Sequence, residues 1–209
     1  MNDKGLLLII SGFSGTGKGT VINRLLSDQD ESYALSVSAT TRNPRDGERE
    51  GIEYYFKTSE EFELMITHDE LIEYACYVNN YYGTPKKYVE ERLKEGKNVI
   101  LEIEIQGALD VKNKYPDSIL IFLLPPSVSE LERRLKGRGS ESDALIKERL
   151  SQAVVEAESA YKYDYIVIND TPENCCKAIN TIVAAEKYNK KRNTDFIKKI
   201  ETDLNDTFA

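Results

Sequence analysis

The chain alternates between short runs of apolar residues and longer segments in which apolar residues recur every three or four positions. Leu6 to Ile10 and Ile119 to Leu124 are wholly apolar, which is typical of strands buried on both faces of a parallel sheet. Other runs predict further strands, at 33–37, 71–78, 98–105 and 165–168. Strands that are separated by helical segments indicate an α/β protein.

The segments between the strands carry helix start signals. Thr58-Ser59-Glu60-Glu61 and Ser127-Val128-Ser129-Glu130 have capping-box spacing, and Thr84-Pro85 and Thr171-Pro172 each offer an N-cap followed by a proline. Together with the periodicity they predict helices, at about 18–28, 59–65, 85–95, 107–114, 131–135, 143–160 and from 172, with a partly solvated helix after 189. Ser38 to Gly51 is polar and shows neither the alternation of a strand nor the period of a helix, which predicts a loop. The alternation predicts a three-layer α/β fold around a mainly parallel central sheet.

Composition matters mainly through what it argues against. The chain has 209 residues and a net charge of -8, so we expect neither nucleic acid nor an anionic membrane surface as a partner. No apolar run approaches the length of a membrane span. The three cysteines include no Cys-x-x-Cys pair, which argues against a disulfide framework or a zinc site and favours the cytoplasm. The single histidine, His68, argues against a histidine-based triad.

A glycine-rich segment directly after the first apolar run carries the clearest chemistry. Gly12-Phe13-Ser14-Gly15-Thr16-Gly17-Lys18-Gly19-Thr20 follows a predicted strand and opens a predicted helix, which is the context of a phosphate-binding loop (P-loop). Glycines there let backbone N–H groups converge on phosphate oxygens, and Lys18 brings a positive charge to the β- and γ-phosphates. The alternative is a glycine-rich turn without a ligand, but this combination rarely arises by chance. We therefore predict nucleotide-phosphate binding by Gly12, Ser14, Gly15, Thr16, Gly17, Lys18, Gly19 and Thr20.

One position departs from the usual form of this loop. Gly19 follows Lys18, where a Ser or Thr commonly ligates Mg²⁺. Either Thr20 contributes to the metal site, or nucleotide oxygens and water hold the ion, an arrangement that Mg²⁺ tolerates well.

The polar segment after the loop carries a second, longer pattern. Ser38-Ala39-Thr40-Thr41-Arg42-Asn43-Pro44-Arg45-Asp46-Gly47-Glu48, followed by Gly51, Tyr54 and Phe56, closely resembles the signature region of guanylate kinases. The resemblance continues in order through motifs at 80–84, 101–107, 125–127, 134–139 and 167–170, and covers about residues 5–188. It implies a P-loop kinase fold with an insertion that binds GMP and a helical lid. It also implies phosphorylation of GMP by ATP with Mg²⁺. We expect dGMP as an acceptor too, since nothing in the motif visibly reads the 2′-hydroxyl.

The resemblance assigns the GMP site to residues whose chemistry suits this nucleotide. The positions matched to its phosphate are Ser38, Arg42, Arg45, Tyr54 and Tyr82. Planar arginine donors and directed phenol groups suit a dianion, although an arginine taken singly could be a solvated loop residue. Glu73 and Thr84 match the guanine-binding positions. A carboxylate accepts from N1–H and N2–H₂ together, and adenine lacks that donor pair; the alternative for Glu73 is an exposed edge-strand residue.

Further residues are assigned to the ATP side and to the metal. Glu102 and Glu104 alternate with Ile103 along the predicted strand, so we expect both to face the same side. Glu104 matches a position that contacts GMP, Glu102 is our candidate for holding Mg²⁺ through water, and the alternative is a pair of strand-end surface acids. Family members often carry Asp at both positions. The resemblance adds Arg134 and Asn169 to the ATP site, with Lys18, Arg42, Arg138 and Arg149 as catalytic residues and Arg138 also contacting ATP.

The predicted organisation is one guanylate-kinase-like domain over 1–209. Its core comprises 1–37, 97–126 and 160–188, the GMP-binding region 38–96, the lid 127–159 and a C-terminal tail 189–209. Two other functions stay open on the sequence: a kinase for another nucleoside monophosphate, and a catalytically inactive guanylate-kinase-like module that binds proteins. Such modules typically degrade the P-loop, and this one is intact.

Overall fold

The fold contains two sheets, one of which forms the centre of the molecule. A computed structural model describes residues 4–27, 32–137 and 142–208. Its strands are β1 (Leu7–Gly12), β2 (Tyr33–Leu35), β3 (Ser38–Thr40), β4 (Tyr54–Phe56), β5 (Leu71–Tyr77), β6 (Asn80–Pro85), β7 (Asn98–Glu102), β8 (Ile119–Leu124) and β9 (Tyr165–Ile168). The central sheet has the order β2-β7-β1-β8-β9 and all its pairings are parallel. The prediction of a mainly parallel central sheet is therefore confirmed.

Helices cover both faces of this sheet. They are α1 (Lys18–Ser27), α2 (Ser59–Thr67), α3 (Lys86–Lys94), α4 (Ile105–Lys114), α5 (Val128–Lys136), α6 (Asp143–Ala160), α7 (Pro172–Lys187) and α8 (Thr194–Phe208), with a short 3-10 helix at Lys190–Asn193. Along β1, Leu8 and Ile10 pack against α1 and α7, whereas Leu7 and Ile9 belong to the cluster formed with α3, α4, α5 and α6. Alternate side chains of one buried strand thus fill two cores, which explains its continuous apolar run.

The second sheet is smaller and mixed. Its order is β4-β3-β6-β5, with β3 parallel to β4 and antiparallel to β6, and β5 antiparallel to β6. Phe62 of α2 packs against it together with Ala39 and Leu71, which gives this sheet a small core of its own. The predicted loop at 38–51 is wrong over its first residues, because 38–40 forms β3.

Two predicted element boundaries are also wrong. Thr84 does not cap a helix: it is the penultimate residue of β6, Pro85 occupies the N-cap position of α3, and no side chain caps that end. The seventh strand ends at Glu102 rather than at 105, since Glu104 is already the N-cap residue of α4. Glu102 and Glu104 therefore do not alternate along one strand.

The tail ends in a helix, as predicted. In α8 no residue is buried, and the apolar side chains of Phe196, Ile200 and Leu204 remain substantially exposed. Over the described ranges, we find no helix that combines the length and the apolarity needed to cross a membrane.

Candidate nucleotide-binding site

The glycine-rich loop joins β1 to α1 at the carboxyl edge of the central sheet. Gly15 and Gly17 both have φ of +89°, a conformation that side chains other than glycine rarely adopt. Lys18 Nζ donates to the carbonyl oxygens of Gly12 and Phe13 at 2.8 and 3.3 Å, so the ammonium group lies over the loop that it closes. Thr16 donates from Oγ1 to the Phe13 carbonyl at 2.8 Å. Gly12 and Ser14 are half-buried in this loop, and Gly19 and Thr20 are exposed on the first turn of α1.

Two residues predicted for the ATP site donate hydrogen bonds to the backbone of this loop. Asn169, 3% exposed after β9, donates from Nδ2 to the Thr16 carbonyl at 2.6 Å. Arg134 of α5 donates to the same carbonyl at 3.1 Å and to the Asn169 carbonyl at 3.0 Å. Glu130 orients Arg134 through a 2.8 Å bond, and its hydrogen bonds from Arg133 and then Arg134 lower the pKa of Glu130 to about 2. These side chains hold the P-loop in place between α5 and β9.

Helix α6 supplies a further arginine to the loop. Arg149 Nη1 donates to the Ser14 hydroxyl, so the structure brings these two predicted residues together. Arg138, predicted to be catalytic, lies outside the described residues. Glu156 was not predicted, yet it follows Arg149 by seven residues and so shares its helix face. Burial raises the pKa of Glu156, a hydrogen bond with Gln152 lowers it, and the charges of Glu104 and Lys18 also act on it. The seven-residue spacing was the signal that could have identified it.

The second sheet gathers the residues predicted for the GMP phosphate. Ser38 on β3 is paired with Tyr54 on β4, and Thr40 of β3 is paired with Tyr82 on β6. The rings of Tyr54 and Tyr82 meet edge to face with centroids 6.1 Å apart. The Arg42 guanidinium lies 5.3 Å from the centre of the Tyr54 ring. Four of the five predicted residues thus lie on adjoining strands or directly beyond β3, and the fifth, Arg45, lies in the exposed turn that follows.

Arg42 is held by a carboxylate that we did not predict as a site residue. Its Nη2 donates to Glu48 Oε1 at 2.9 Å, and its Nη1 to the Asn43 carbonyl at 2.7 Å. The other carboxylate oxygen of Glu48 accepts from the backbone N–H of Arg45 at 2.8 Å.

The predicted guanine-binding pair lies in direct contact. Thr84 Oγ1 on β6 donates to Glu73 Oε1 on β5 at 2.6 Å, and the two residues are 1% and 8% exposed. The register of β5 against β6 shifts between Leu71 and Tyr74, so that Leu71, Ile72 and Glu73 are all buried in succession. This irregularity turns a carboxylate inward on an otherwise apolar strand. Burial raises the pKa of Glu73, while the Thr84 hydrogen bond and the charge of Lys114 lower it.

The segment between β7 and α4 connects the two clusters. Glu102 is solvent-accessible at the end of β7, but partial desolvation by the cleft raises its pKa, and the positive charge of Lys18 lowers it. The charge of Glu102 acts in turn on Tyr54, whose pKa is raised mainly by burial. Five residues further, Gly107 lies against Glu73, since a Cβ built there would be 3.1 Å from Glu73 Oε2.

The described residues contain no group of three or more acidic, histidine or cysteine side chains able to hold a metal ion by themselves. Glu102, whose pKa the charge of Lys18 lowers, and Thr20 on the exposed turn of α1 instead suit a Mg²⁺ ion that a nucleotide carries in with most of its water shell. The two predicted metal residues therefore fit a nucleotide-borne ion.

A P-loop at the centre of a parallel sheet, facing a second polar cluster on a smaller sheet, defines a P-loop nucleotide-binding protein of the α/β class. The guanylate kinase family model matches residues 4–186, and the chain belongs to the guanylate kinase family. The guanylate kinase of Bacillus subtilis (strain 168) is 50% identical over 200 residues, covering 96% of this chain and 98% of that protein.

Other comparisons agree with this assignment. The guanylate kinase of Bacillus anthracis is 48% identical over 201 residues, with 96% of this chain and 98% of that protein covered. The crystal structure of guanylate kinase from Anaplasma phagocytophilum superimposes with a TM-score of 0.72 at 34% identity, over 92% of this chain and 91% of that one.

Proposed function

We propose that this chain transfers the γ-phosphoryl group of ATP to GMP, yielding ADP and GDP. One observation carries the proposal: the 102–107 segment borders both nucleotide cradles, with Glu102 near Lys18 at one end and Gly107 against Glu73 at the other. A phosphoryl donor held by the P-loop and an acceptor held by Glu73 would therefore meet over this segment. The proposed division of the chain is a core (1–37, 97–126 and 160–188), a GMP-binding region (38–96), a lid (127–159) and a tail (189–209).

The ATP side rests on backbone donors and on arginines from the lid. Residues 12–20 would bind the polyphosphate through the amides of the loop and of the first turn of α1, with Lys18 reaching the β- and γ-phosphates. Asn169 and Arg134 would keep the loop closed, since both donate to the Thr16 carbonyl. Arg149, already on the loop through Ser14, would reach the γ-phosphate.

The GMP side combines charge with a buried base-reading group. Ser38, Arg42, Arg45, Tyr54 and Tyr82 would hold the phosphate dianion. Glu73 would accept from N1–H and N2–H₂ of guanine, Thr84 would contact the same base, and Glu104 would add a further contact to GMP. Because Glu73 is buried, a base without those donors would leave the carboxylate poorly paired, and this selects against adenine. No element of this cluster reads a 2′-hydroxyl, so we propose dGMP as a second acceptor.

The chemistry then requires positioning and charge stabilisation rather than a covalent intermediate. A phosphate oxygen of GMP attacks the γ-phosphorus of ATP in line, the bond to the bridging oxygen breaks, and ADP leaves. Lys18, Arg42, Arg138 and Arg149 would surround the transferred group and stabilise its charge. Thr20 and Glu102 would hold Mg²⁺ through water, and the ion when bound neutralises charge on the β- and γ-oxygens. Closure of the lid and of the GMP-binding region would exclude water and so limit ATP hydrolysis.

Two alternative functions considered from the sequence fit the site less well. A kinase for another monophosphate conflicts with the buried Glu73, which suits a guanine edge. A catalytically inactive module conflicts with a P-loop whose glycines and lysine have the phosphate-binding arrangement. The three cysteines, none of which is in a disulfide, are consistent with a reducing compartment, and we propose that the enzyme acts in the cytoplasm.

A coupled assay of ADP release tests this function. GMP, dGMP, AMP, CMP and UMP are supplied in turn with ATP, with and without Mg²⁺. We expect turnover with GMP and dGMP only, and only with Mg²⁺. Equal turnover with AMP would exclude the role assigned to Glu73, and no turnover with any monophosphate would exclude kinase activity.

A further inference from the structure

Glu48 joins the two arginines that are assigned to the acceptor phosphate. Its Oε1 accepts from the Arg42 guanidinium at 2.9 Å, and its Oε2 from the Arg45 backbone N–H at 2.8 Å. The N–H of Glu48 donates in turn to the Arg45 carbonyl at 3.0 Å, so the 45–48 turn is closed by hydrogen bonds in both directions. One carboxylate therefore fixes both a guanidinium and the backbone from which the second guanidinium extends.

Among the described residues, this ion pair is one of the few with little exposure, together with Arg134–Glu130 and Arg192–Glu186. The Arg42 and Glu48 side chains are only 15% and 17% exposed, and Arg42 lies in addition over the ring of Tyr54. Exposed ion pairs are screened by water and salt and contribute little, whereas a partly desolvated, hydrogen-bonded pair restricts both partners. Two of the Arg42 guanidinium nitrogens are thus committed to the protein, Nη1 to the Asn43 carbonyl and Nη2 to Glu48, which fixes the plane of the group.

We propose that Glu48 is a positioning residue that prepares Arg42 and Arg45 for the phosphate of the acceptor nucleotide. The proposal rests on the function proposed above, because it takes these arginines to bind that phosphate. An unpartnered Arg42 would sample many rotamers and would lose that freedom only when the phosphate arrives, at a cost to binding. Glu48 orders the Arg42 side chain before the phosphate binds. Its loss should therefore weaken binding of the phosphate and leave recognition of the base unchanged.

The same loop contains a matched control. Glu53 also accepts a backbone N–H bond, from Arg49 at 2.6 Å, and also faces that residue's guanidinium. That pair, however, is 4.0 Å apart, and the Arg49 and Glu53 side chains are 69% and 37% exposed. Glu53→Gln thus changes the same chemistry in the same segment without touching the phosphate-binding arginines.

The test compares Glu48→Gln, Glu48→Ala and Glu53→Gln with the wild-type chain. Calorimetry gives the Kd of GMP, competition gives the inhibition constant of guanosine, which lacks the phosphate, and steady-state kinetics give KM for ATP. For Glu48→Ala we expect GMP binding to weaken about 10-fold or more, with a smaller loss for Glu48→Gln. Guanosine inhibition, KM for ATP and every property of Glu53→Gln should stay within about twofold of wild type.

Three results would overturn the proposal. The first is GMP binding by the Glu48 variants that is unchanged or tighter than in wild type. The second is a loss of guanosine inhibition as large as the loss of GMP binding, which marks a merely structural role. The third is a loss of GMP binding in Glu53→Gln as large as that in the Glu48 variants. Thermal unfolding verifies that each variant is folded, and if Glu48→Ala does not fold, Glu48→Gln decides. Failure of the wild type itself to bind or phosphorylate GMP would refute the proposed function instead, so the two failures are distinguishable.

Discussion

The Thr84 hydroxyl donates a 2.6 Å hydrogen bond to Oε1 of Glu73 at a place where both side chains are almost fully buried. A threonine that occupies one oxygen of a buried carboxylate leaves the other for an incoming donor. That second oxygen lies beside Gly107, which has no side chain of its own. The pair therefore offers a partly satisfied acceptor that a guanine edge can complete.

Replacing this carboxylate should impair the acceptor nucleotide alone. In Glu73→Gln one oxygen becomes an amide, which repels the N–H donors of guanine. Since charge-assisted hydrogen bonds contribute about 1.5–3 kcal/mol, we expect KM for GMP to rise roughly 10- to 100-fold. KM for ATP should stay within about twofold of wild type, because Glu73 lies outside the P-loop. Steady-state kinetics with each nucleotide varied in turn measure both values, and an unchanged KM for GMP would contradict the base-reading role.

The same variant should be more stable than the wild type at neutral pH. Burial raises the pKa of Glu73 above its ordinary value of 4.5, so the folded chain binds this proton more tightly than the unfolded chain. The carboxyl therefore lowers the free energy of unfolding as pH rises from about 4.5 through the raised pKa. Glu73→Gln removes the ionisable carboxyl and with it this decrease in the free energy of unfolding.

Thermal unfolding without nucleotides measures this effect at several values between about pH 4 and about pH 8. We expect the Tm of Glu73→Gln relative to wild type to increase across this range. Glu70→Gln, on the exposed residue just before β5, is the control and should show no such trend. A wild type that is the more stable protein at the alkaline end would contradict the assignment of burial as the cause.

Gly107 should matter for the acceptor although its backbone does not require glycine. It lies in the first turn of α4, where alanine ordinarily stabilises a helix by up to about 1 kcal/mol. A Cβ there would be 3.1 Å from Glu73 Oε2, so the carboxylate must move by a few tenths of an ångström. We expect Gly107→Ala to raise KM for GMP by about an order of magnitude without lowering Tm. Gln106→Ala, one residue earlier, is the control, and a KM for GMP equal to wild type would show that the carboxylate moves freely.

Arg138 is expected to act on the transferred group. By analogy with the loss of an arginine finger, we expect Arg138→Ala to lower kcat by about 10³-fold or more, with smaller effects on the two KM values. Rapid-quench measurement of a single turnover separates the chemical step from product release. A turnover number near that of wild type would remove Arg138 from the mechanism.

Elements with a strong period could be predicted from the sequence almost to the residue. β8, β9 and α6 have the predicted bounds: β8 buries a continuous apolar run, β9 is a short apolar run that ends before Asn169-Asp170, and α6 begins at the Ser142 N-cap. The strands β3 and β4 were missed because three residues are too few to show a period. The hairpin formed by β5 and β6 was missed because its turn uses Val78 and Asn79, at φ of 47° and 61°, instead of a glycine.

The candidate site shows the same contrast between residues with a local sequence signal and residues that depend on contacts made in the fold. Residues 12–20 could be predicted from local spacing, since a P-loop is contiguous. Glu48 could not, because its role depends on a contact that folding creates between the 45–48 turn and Arg42, just beyond β3. Thr84 looked like a helix cap since the local Thr-Pro signal is real, but its hydroxyl serves Glu73 across the strand pair instead.

Direct analysis of nucleotide products tests the central claim that a donor and an acceptor meet on this chain. Purified protein is incubated with GMP, ATP and Mg²⁺, and the nucleotides are separated and quantified over time, with Lys18→Ala in parallel. We expect GDP and ADP to appear in equal amounts with the wild type and neither to appear above background with Lys18→Ala. ADP without GDP, or no product from the wild type, would contradict the account.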